Sequence, residues 1–272
     1  VASRTARGKP LVNILSLEEG ERITSMLPVQ DYSEDHFVFM ATANGTVKKT
    51  ALTNFARQRS VGLRAIELDE GDELVGTALT DGSKDVMLIS SSGKTICFNE
   101  ANVRAMGRTA RGVRGIKLAE GFNMIALIIP EENKQILTVS ENGYGKRTQV
   151  DDFPVYGRGG QGVIGMQTSE RNGAVVGAAQ VCEADEIMLI SDKGTLVRTR
   201  VTEVSIQGRN TQGVRLIRLK DGEKLVGLEQ VDEPDEVDTI EAEVETDIDT
   251  DTDTDTTTES PVAADSDNSE SE

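Results

Sequence analysis

Three short phrases return in fixed order about every 50 residues along this 272-residue chain. A repeat of that length holds one supersecondary unit, too small to bury its own apolar face, so successive units must stack. The first phrase is a turn with a basic arm: Asn44-Gly-Thr-Val-Lys-Lys-Thr50, Ser92-Gly-Lys-Thr-Ile-Cys-Phe98, Asn142-Gly-Tyr-Gly-Lys-Arg-Thr148 and Lys193-Gly-Thr-Leu-Val-Arg-Thr199. Each copy follows a short apolar run, such as Val86 to Ser90 or Ile187 to Ser191, and the pair reads as an antiparallel hairpin. The second phrase is a Gly-containing basic segment: Arg4 to Gly8, Arg57 to Gly62, Arg108 to Gly112, Arg158 to Gly162 and Arg209 to Gly213. The third is an acidic turn leading into a strand, as in Glu70 to Gly76 or Asp221 to Gly227. About four strands in 50 residues is the size of a propeller blade, which predicts an all-β, propeller-like fold over residues 1–231. The basic segment and acidic turn occur five times and the hairpin four, so the first blade is expected to be truncated, with its hairpin upstream of Val1.

The formal charge of −18 conceals a segregated distribution. Residues 232–272 carry 18 acids and no Lys or Arg, which leaves 29 acids against 29 bases in the rest. That tail, with Asp-Thr alternation from Asp247 to Thr258, has too little apolar surface to offset ordering entropy and is expected to be disordered. Within residues 1–231 the basic segments and hairpin arms hold 22 Lys or Arg and no acid, whereas acids cluster in turns such as Asp69, Glu70, Asp72 and Glu73.

Catalytic groups are scarce. His36 is the only histidine and has no Ser, Cys or metal-ligand constellation beside it in sequence; Tyr32, Tyr144 and Tyr156 lie in turns or loops. Cys97 and Cys182 lack metal-site spacing and read as structural thiols. Gly157-Arg-Gly-Gly-Gln-Gly162 matches a dinucleotide-loop spacing, but Val163-Ile-Gly-Met166 continues as a strand where such a loop must open a helix. No catalytic residue, metal site or cofactor is expected in this stretch, and no apolar run reaches membrane length, so a cytoplasmic setting is expected.

The basic band is the remaining functional candidate. If every unit presents its segment and arm alike, the cations form one rim: Arg4, Arg7, Lys48, Lys49, Arg57, Arg59, Arg64, Arg104, Arg108, Arg111, Arg114, Lys146, Arg147, Arg158, Arg198, Arg200, Arg209 and Arg215. Such a rim suits duplex DNA, whose dense phosphate charge releases counterions on neutralisation. Aromatics make up only 3%, leaving little stacking surface for single strands. Bending about 40 bp through a half turn costs on the order of 10 kcal/mol, which several contacts of about 1 kcal/mol can offset. Two other readings stand beside it: a protein-interaction propeller with an exposed apolar face, and a solvated basic surface that protects strand edges.

Met40-Ala-Thr-Ala-Asn-Gly-Thr-Val-Lys-Lys-Thr50, Val103-Arg-Ala-Met-Gly107, Gly112-Val-Arg-Gly-Ile116, Asn142-Gly-Tyr-Gly-Lys-Arg-Thr148 and Gly208-Arg-Asn-Thr-Gln-Gly213 closely resemble the C-terminal domain of bacterial DNA gyrase A. The resemblance covers nearly all of residues 1–231. It implies a six-bladed β-pinwheel, a propeller-like ring of blades that exchange strands, whose basic perimeter wraps duplex DNA with a positive, right-handed sense, so that an ATP-dependent type II topoisomerase, an isomerase, introduces negative supercoils. It implies gyrase B and the rest of the gyrase A polypeptide as partners, and a nucleoid-associated location. It also implies chemistry elsewhere: the nucleophilic tyrosine in the N-terminal part of gyrase A, ATP and Mg on the parent complex. The family's Gln-Arg-Arg-Gly-Gly-Lys-Gly signature is absent, and Arg158-Gly-Gly-Gln-Gly162 is only a degenerate echo. This stretch alone is therefore expected to bind or bend DNA without the signature that supercoiling needs. The related domain of topoisomerase IV is the nearest alternative; regular repeats and the acidic tail favour gyrase. The tail itself is read two ways, as a competitor for the rim at high effective concentration or as a solubility tail.

Overall fold

The computed structural model describes residues 20–57 and 62–231; the nominated Arg4, Arg7 and Arg59, and the acidic tail from Asp232, lie outside the described residues. The chain divides into two units, 1–233 and 234–272, and only the first contains described residues.

Strands in chain order are β1 (Phe37–Thr42), β2 (Thr46–Ala51), β3 (Leu74–Thr80), β4 (Asp85–Ser90), β5 (Lys94–Asn99), β6 (Val113–Arg114), β7 (Met124–Ile128) and β8 (Gln135–Ser140). They continue as β9 (Tyr144–Gln149), β10 (Val155–Tyr156), β11 (Val163–Ile164), β12 (Val175–Val181), β13 (Glu186–Ser191), β14 (Leu196–Arg200), β15 (Val214–Arg215) and β16 (Leu225–Val231). The expected hairpins are β1–β2, β4–β5, β8–β9 and β13–β14, all antiparallel. Third-phrase strands pair on the inner side of each hairpin, as β3 on β1 and β12 on β8.

What the repeat pattern does not reveal is where the fourth strand comes from. The sheets run β3-β1-β2-β6, β10-β5-β4-β7 with β11 also on β5, β12-β8-β9-β15, and β14-β13-β16. Thus β6, which follows the second hairpin, pairs with β2 of the first: Val113 opposite Val47 and Arg114 opposite Thr46. Likewise β11 pairs Val163 with Thr95, and β15 pairs Val214 with Gly145. Each of the first three sheets is finished by a two-residue strand from the basic segment of the following repeat. The segment enters past a glycine with no room for a side chain: at Gly162, φ +70°, a Cβ would lie 2.2 Å from the Thr95 carbonyl oxygen, and at Gly213 2.5 Å from that of Gly145.

The cores lie between sheets, because the hairpin strands are apolar on both faces. Val86 and Leu88 of β4 join Phe39, Ala41 and Val47 of the first sheet, while Met87 and Ile89 of the same strand face Ile136 of the third sheet and Phe153 of the turn after β9. Leu137 and Val139 of β8 pack with Ile187 and Leu189 of β13. Fully burying each such side chain contributes about 1.5–3 kcal/mol, which makes these seams the main source of cohesion. On β13 the alternate residue Ile190 is 42% exposed, with Leu196 and Val226 also exposed. The fourth sheet therefore presents apolar surface that the sequence reading did not foresee, since a strand apolar on both faces has no covering sheet on that side among the described residues.

Four nominated cations are interior. Lys48 is fully buried and its Nζ donates to the carbonyls of Ala65 (2.6 Å) and Arg108 (2.5 Å). Lys146 does the same with Gly208 (2.7 Å) and Arg209 (2.5 Å). Lys49 donates to the Glu100 carbonyl and pairs with its carboxylate at 3.5 Å, and the carboxylate also accepts from Thr80, Gly82 and Lys84. Arg147 donates to the Val204 carbonyl and the Gln135 side chain. The expectation of surface placement for Lys48, Lys49, Lys146 and Arg147 is therefore corrected: they hold the entry of the next repeat's basic segment against the hairpin. Buried carbonyls need donors, and a lysine reaches two at once. A signal existed in the sequence, for the second repeat carries Ile96 and Cys97 where the first and third have Lys48-Lys49 and Lys146-Arg147, and both are buried. Burial there pushes the Cys97 thiol up to about 12, so it is an inert packing group.

Two stability changes are expected. Gly162→Ala forces a left-handed residue into the Thr95 carbonyl and lowers unfolding free energy by about 3 kcal/mol, checked by urea titration. Lys146→Met strands two carbonyls and costs about 2 kcal/mol at neutral pH. Burial also lowers the Lys146 pKa to about 8, against 10.5 for the unfolded chain. Between those values the unfolded state binds more protons, so this lysine makes stability rise with pH across that window. The rise should vanish in Lys146→Met, as urea midpoints measured through the same pH range would reveal.

Candidate nucleic-acid interface

The swapped strands bring basic segments from different repeats into register with one another. The backbone of Gly159 donates to Gly115 (2.6 Å), and that of Lys117 to Gly160 (2.8 Å), joining the segment of the second repeat to that of the third. The backbone of Gln167 donates to Thr211 (2.9 Å), joining the third to the fourth. Arginines reinforce the same seams: Arg158 donates from Nε to Asn102 and from Nη1 to Arg114, and Arg209 from Nη1 to Ile164, all at carbonyl oxygens. A guanidinium carries five N–H donors, so each keeps several for another acceptor. The result is a run of neighbouring Gly- and Arg-rich segments at the outer edges of consecutive sheets.

The nominated residues divide by environment. Arg57, Arg64, Arg104, Arg114, Arg158 and Arg215 are exposed, Arg108 and Arg209 half-buried, and none of the eight forms an ion pair among the described residues. Arg111 is exposed but held by Asp69 (2.8 Å) and Glu67 (3.4 Å). Arg198 and Arg200 of β14 both pair with Glu186. Their charge is thus partly cancelled, by the Glu67 and Asp69 carboxylates in one case and by Glu186 of β13 in the other, a neutralisation that sequence windows drawn along one segment do not display. Lys94 and Lys117, not nominated individually, line one cleft beside Gln161. Arg171, Arg218 and Lys220 were missed as well; they line a second, in the third sheet.

Gly157 to Gly162 leads into β11 rather than a helix, so the dinucleotide spacing is coincidental. The His36 ring is engaged by a near neighbour, its Nδ1 lying 2.6 Å from the Ser33 hydroxyl. Among the described residues there is no group of three or more metal-ligating side chains, and no helix is long and apolar enough to cross a membrane. What the edge can do chemically is present backbone amides, hydroxyls and guanidinium groups to a polyanion.

A family model described as the DNA gyrase C-terminal domain, a beta-propeller, matches residues 1–30, 36–81, 84–127, 134–182 and 185–232, one stretch for each repeat. DNA gyrase A of Salmonella typhimurium is 56% identical over 246 residues, covering 89% of this chain and 28% of that protein. Its Escherichia coli counterpart is 53% identical over 243 residues, with 88% and 28% covered. The chain thus spans a little over a quarter of the length of these relatives. A solved DNA gyrase A C-terminal domain superposes with a TM-score of 0.73 at 29% identity, covering 83% of this chain and 75% of that one. The C-terminal domain of a DNA topoisomerase IV superposes at 0.78 with 24% identity, covering 83% of this chain and 71% of that one, a likeness of fold. Repeat spacing, sheet order and these matches agree, and the chain belongs to the DNA gyrase C-terminal domain family.

Proposed function

We propose that residues 20–231 bind duplex DNA along the joined basic segments and wrap it, serving an ATP-dependent gyrase-type topoisomerase that introduces negative supercoils. The observation that carries this reading is the bonding of successive basic segments to one another, from Gly115 through Gly159 and Gln167 to Thr211. A duplex passing along them meets Arg104, Arg108, Arg114, Arg158, Arg209 and Arg215 in turn, with glycine backbone between the side chains. Binding by dispersed charge reads no sequence and is steeply salt-dependent. Gyrase B and the remainder of the gyrase A polypeptide are the assembly partners in this proposal, in a cytoplasmic, nucleoid-associated setting. Relatives more than half identical carry the DNA gyrase A name, which favours gyrase over topoisomerase IV.

The direct test is ligation of nicked circles in the presence of the full 272-residue chain. A change in linking number at low salt is the expected result, and circles indistinguishable from protein-free controls would refute wrapping. For binding alone, Arg64→Ala, Arg104→Ala and Arg114→Ala combined should reduce the slope of log K against log salt by roughly 0.9 for each phosphate no longer neutralised. Replacing Arg111 and Arg198, already paired with acids, should reduce it less, as fluorescence anisotropy with a labelled duplex would resolve.

A further inference from the structure

The third sheet carries a cleft whose chemistry differs from its counterparts. The residue after the hairpin glycine is Thr46, Lys94 and Thr195 in three repeats, but Tyr144 in the third. Tyr144 is 5% exposed, with the Arg171 and Arg215 guanidinium carbons 4.9 and 5.4 Å from its ring centre. Arg215 Nη2 donates to the phenol oxygen at 2.8 Å. Hydrogen bonds from Arg171 and Arg215 hold the phenol below the ordinary tyrosine pKa, the direction expected for an oxygen acting as acceptor. Because that oxygen accepts from guanidinium groups, its single proton is left to donate elsewhere.

The backbone that carries Arg171 is held in place. This arginine occupies the turn where the other repeats put Glu70, Glu120 or Asp221, and its carbonyl accepts from the Asn142 side chain at 3.2 Å. The next residue, Asn172, is fully buried, donating to Gln167 (2.8 Å) and Gln212 (3.3 Å) and accepting from the Ser169 backbone (2.8 Å). Around this frame lies a cleft of about 440 Å³ lined by Asn142, Tyr144, Arg171, Arg215, Arg218 and Lys220. None of its four cations forms an ion pair among the described residues. Of the two acids on its border, Glu223 is engaged by the Ser191 hydroxyl and the Lys220 backbone, leaving Asp221. The matching cleft of the first sheet contains Glu67, Asp69 and Asp72, with Arg111 tied to two of them.

We propose that Tyr144, Arg171 and Arg215 form an anchoring site for one phosphate of the DNA backbone, held by oriented hydrogen bonds where the rest of the edge acts through dispersed charge. Two forked guanidinium groups supply parallel donors to the non-bridging oxygens, and the phenol proton completes the set. Arg218 and Lys220 add charge at the mouth. The inference rests on the DNA-binding reading for the source of the phosphate, while the oxyanion chemistry of the cleft stands on its own geometry.

The test uses the full chain and two probes, inorganic phosphate against chloride at equal ionic strength, and a short labelled duplex. Phosphate should shift the amide NMR signals of residues 171–173 and 215–218, and Arg171→Gln should abolish the shift. Tyr144→Phe keeps ring, volume and charge and deletes only the donor. It should weaken duplex binding roughly tenfold with an unchanged salt slope, an effect that dispersed charge alone would not produce. Thermal melts of Tyr144→Phe and the exposed Arg171→Gln verify folding. Parental duplex affinity in Tyr144→Phe would overturn the anchor while leaving the wider DNA reading intact. Phosphate shifts without any duplex binding would overturn DNA as the source and the DNA reading with it, and absence of shifts over chloride would remove the oxyanion site itself.

Discussion

Three of the four sheets described here depend on pairing across repeats. A two-stranded hairpin is marginal in water and leaves an outer row of backbone groups unpaired. The first three hairpins meet that need with β6, β11 and β15, each borrowed from the following repeat. Buried Lys48 and Lys146 secure the loan from the other side, offering one ammonium to two carbonyls of the incoming segment. A residue type commonly assigned to solvent is thereby part of the framework. The same exchange places one repeat's arginine beside its neighbour's backbone, as Arg158 beside Arg114 and Arg209 beside Ile164. Cohesion between repeats and continuity of the basic edge are consequences of one topology.

Much of this was legible in the sequence, and the parts that were not have identifiable causes. Gly turns between apolar runs located all four hairpins, because a positive-φ residue between two short strands leaves few alternatives. Exchange of strands between blades followed from the family resemblance, but the residues that exchange were not legible because two residues carry no period: Val113-Arg114 and Val214-Arg215 are strands only by virtue of their partners. Among the nominated cations, charge alone could not separate exposed Arg104 from buried Lys146, since side-chain direction in a strand alternates and both faces of these strands are covered. Comparing repeats position by position does better than reading any one of them, as Ile96 in place of Lys48 shows. Acid pairing at Arg111 and Arg198 needed coordinates, because the partners lie 42 residues away in one case and across a hairpin in the other.

Repetition also makes departures conspicuous. The four hairpins share a backbone plan, yet the residue behind the turn glycine ranges from Thr to Lys to Tyr, and the acidic turn becomes Arg171-Asn172 once. A quasi-symmetric scaffold can thus hold a chemically uneven edge. The plan fixes where a side chain emerges, and local substitution decides whether that point attracts an anion, as around Tyr144, or is neutral, as around Arg111.

The borrowed strand also imposes an order on biosynthesis. Lys48 waits for Arg108, 60 positions later, and Lys146 for Arg209, 63 positions later. At typical elongation rates of about 5–20 residues per second, each nascent hairpin spends roughly 3–12 s with an open β edge outside the ribosome. During that interval a buried-to-be ammonium remains hydrated at the open edge, and inward-pointing charge is a known deterrent to edge-to-edge association. The lysine that later locks the sheet is positioned to keep the unfinished hairpin from pairing with the wrong chain.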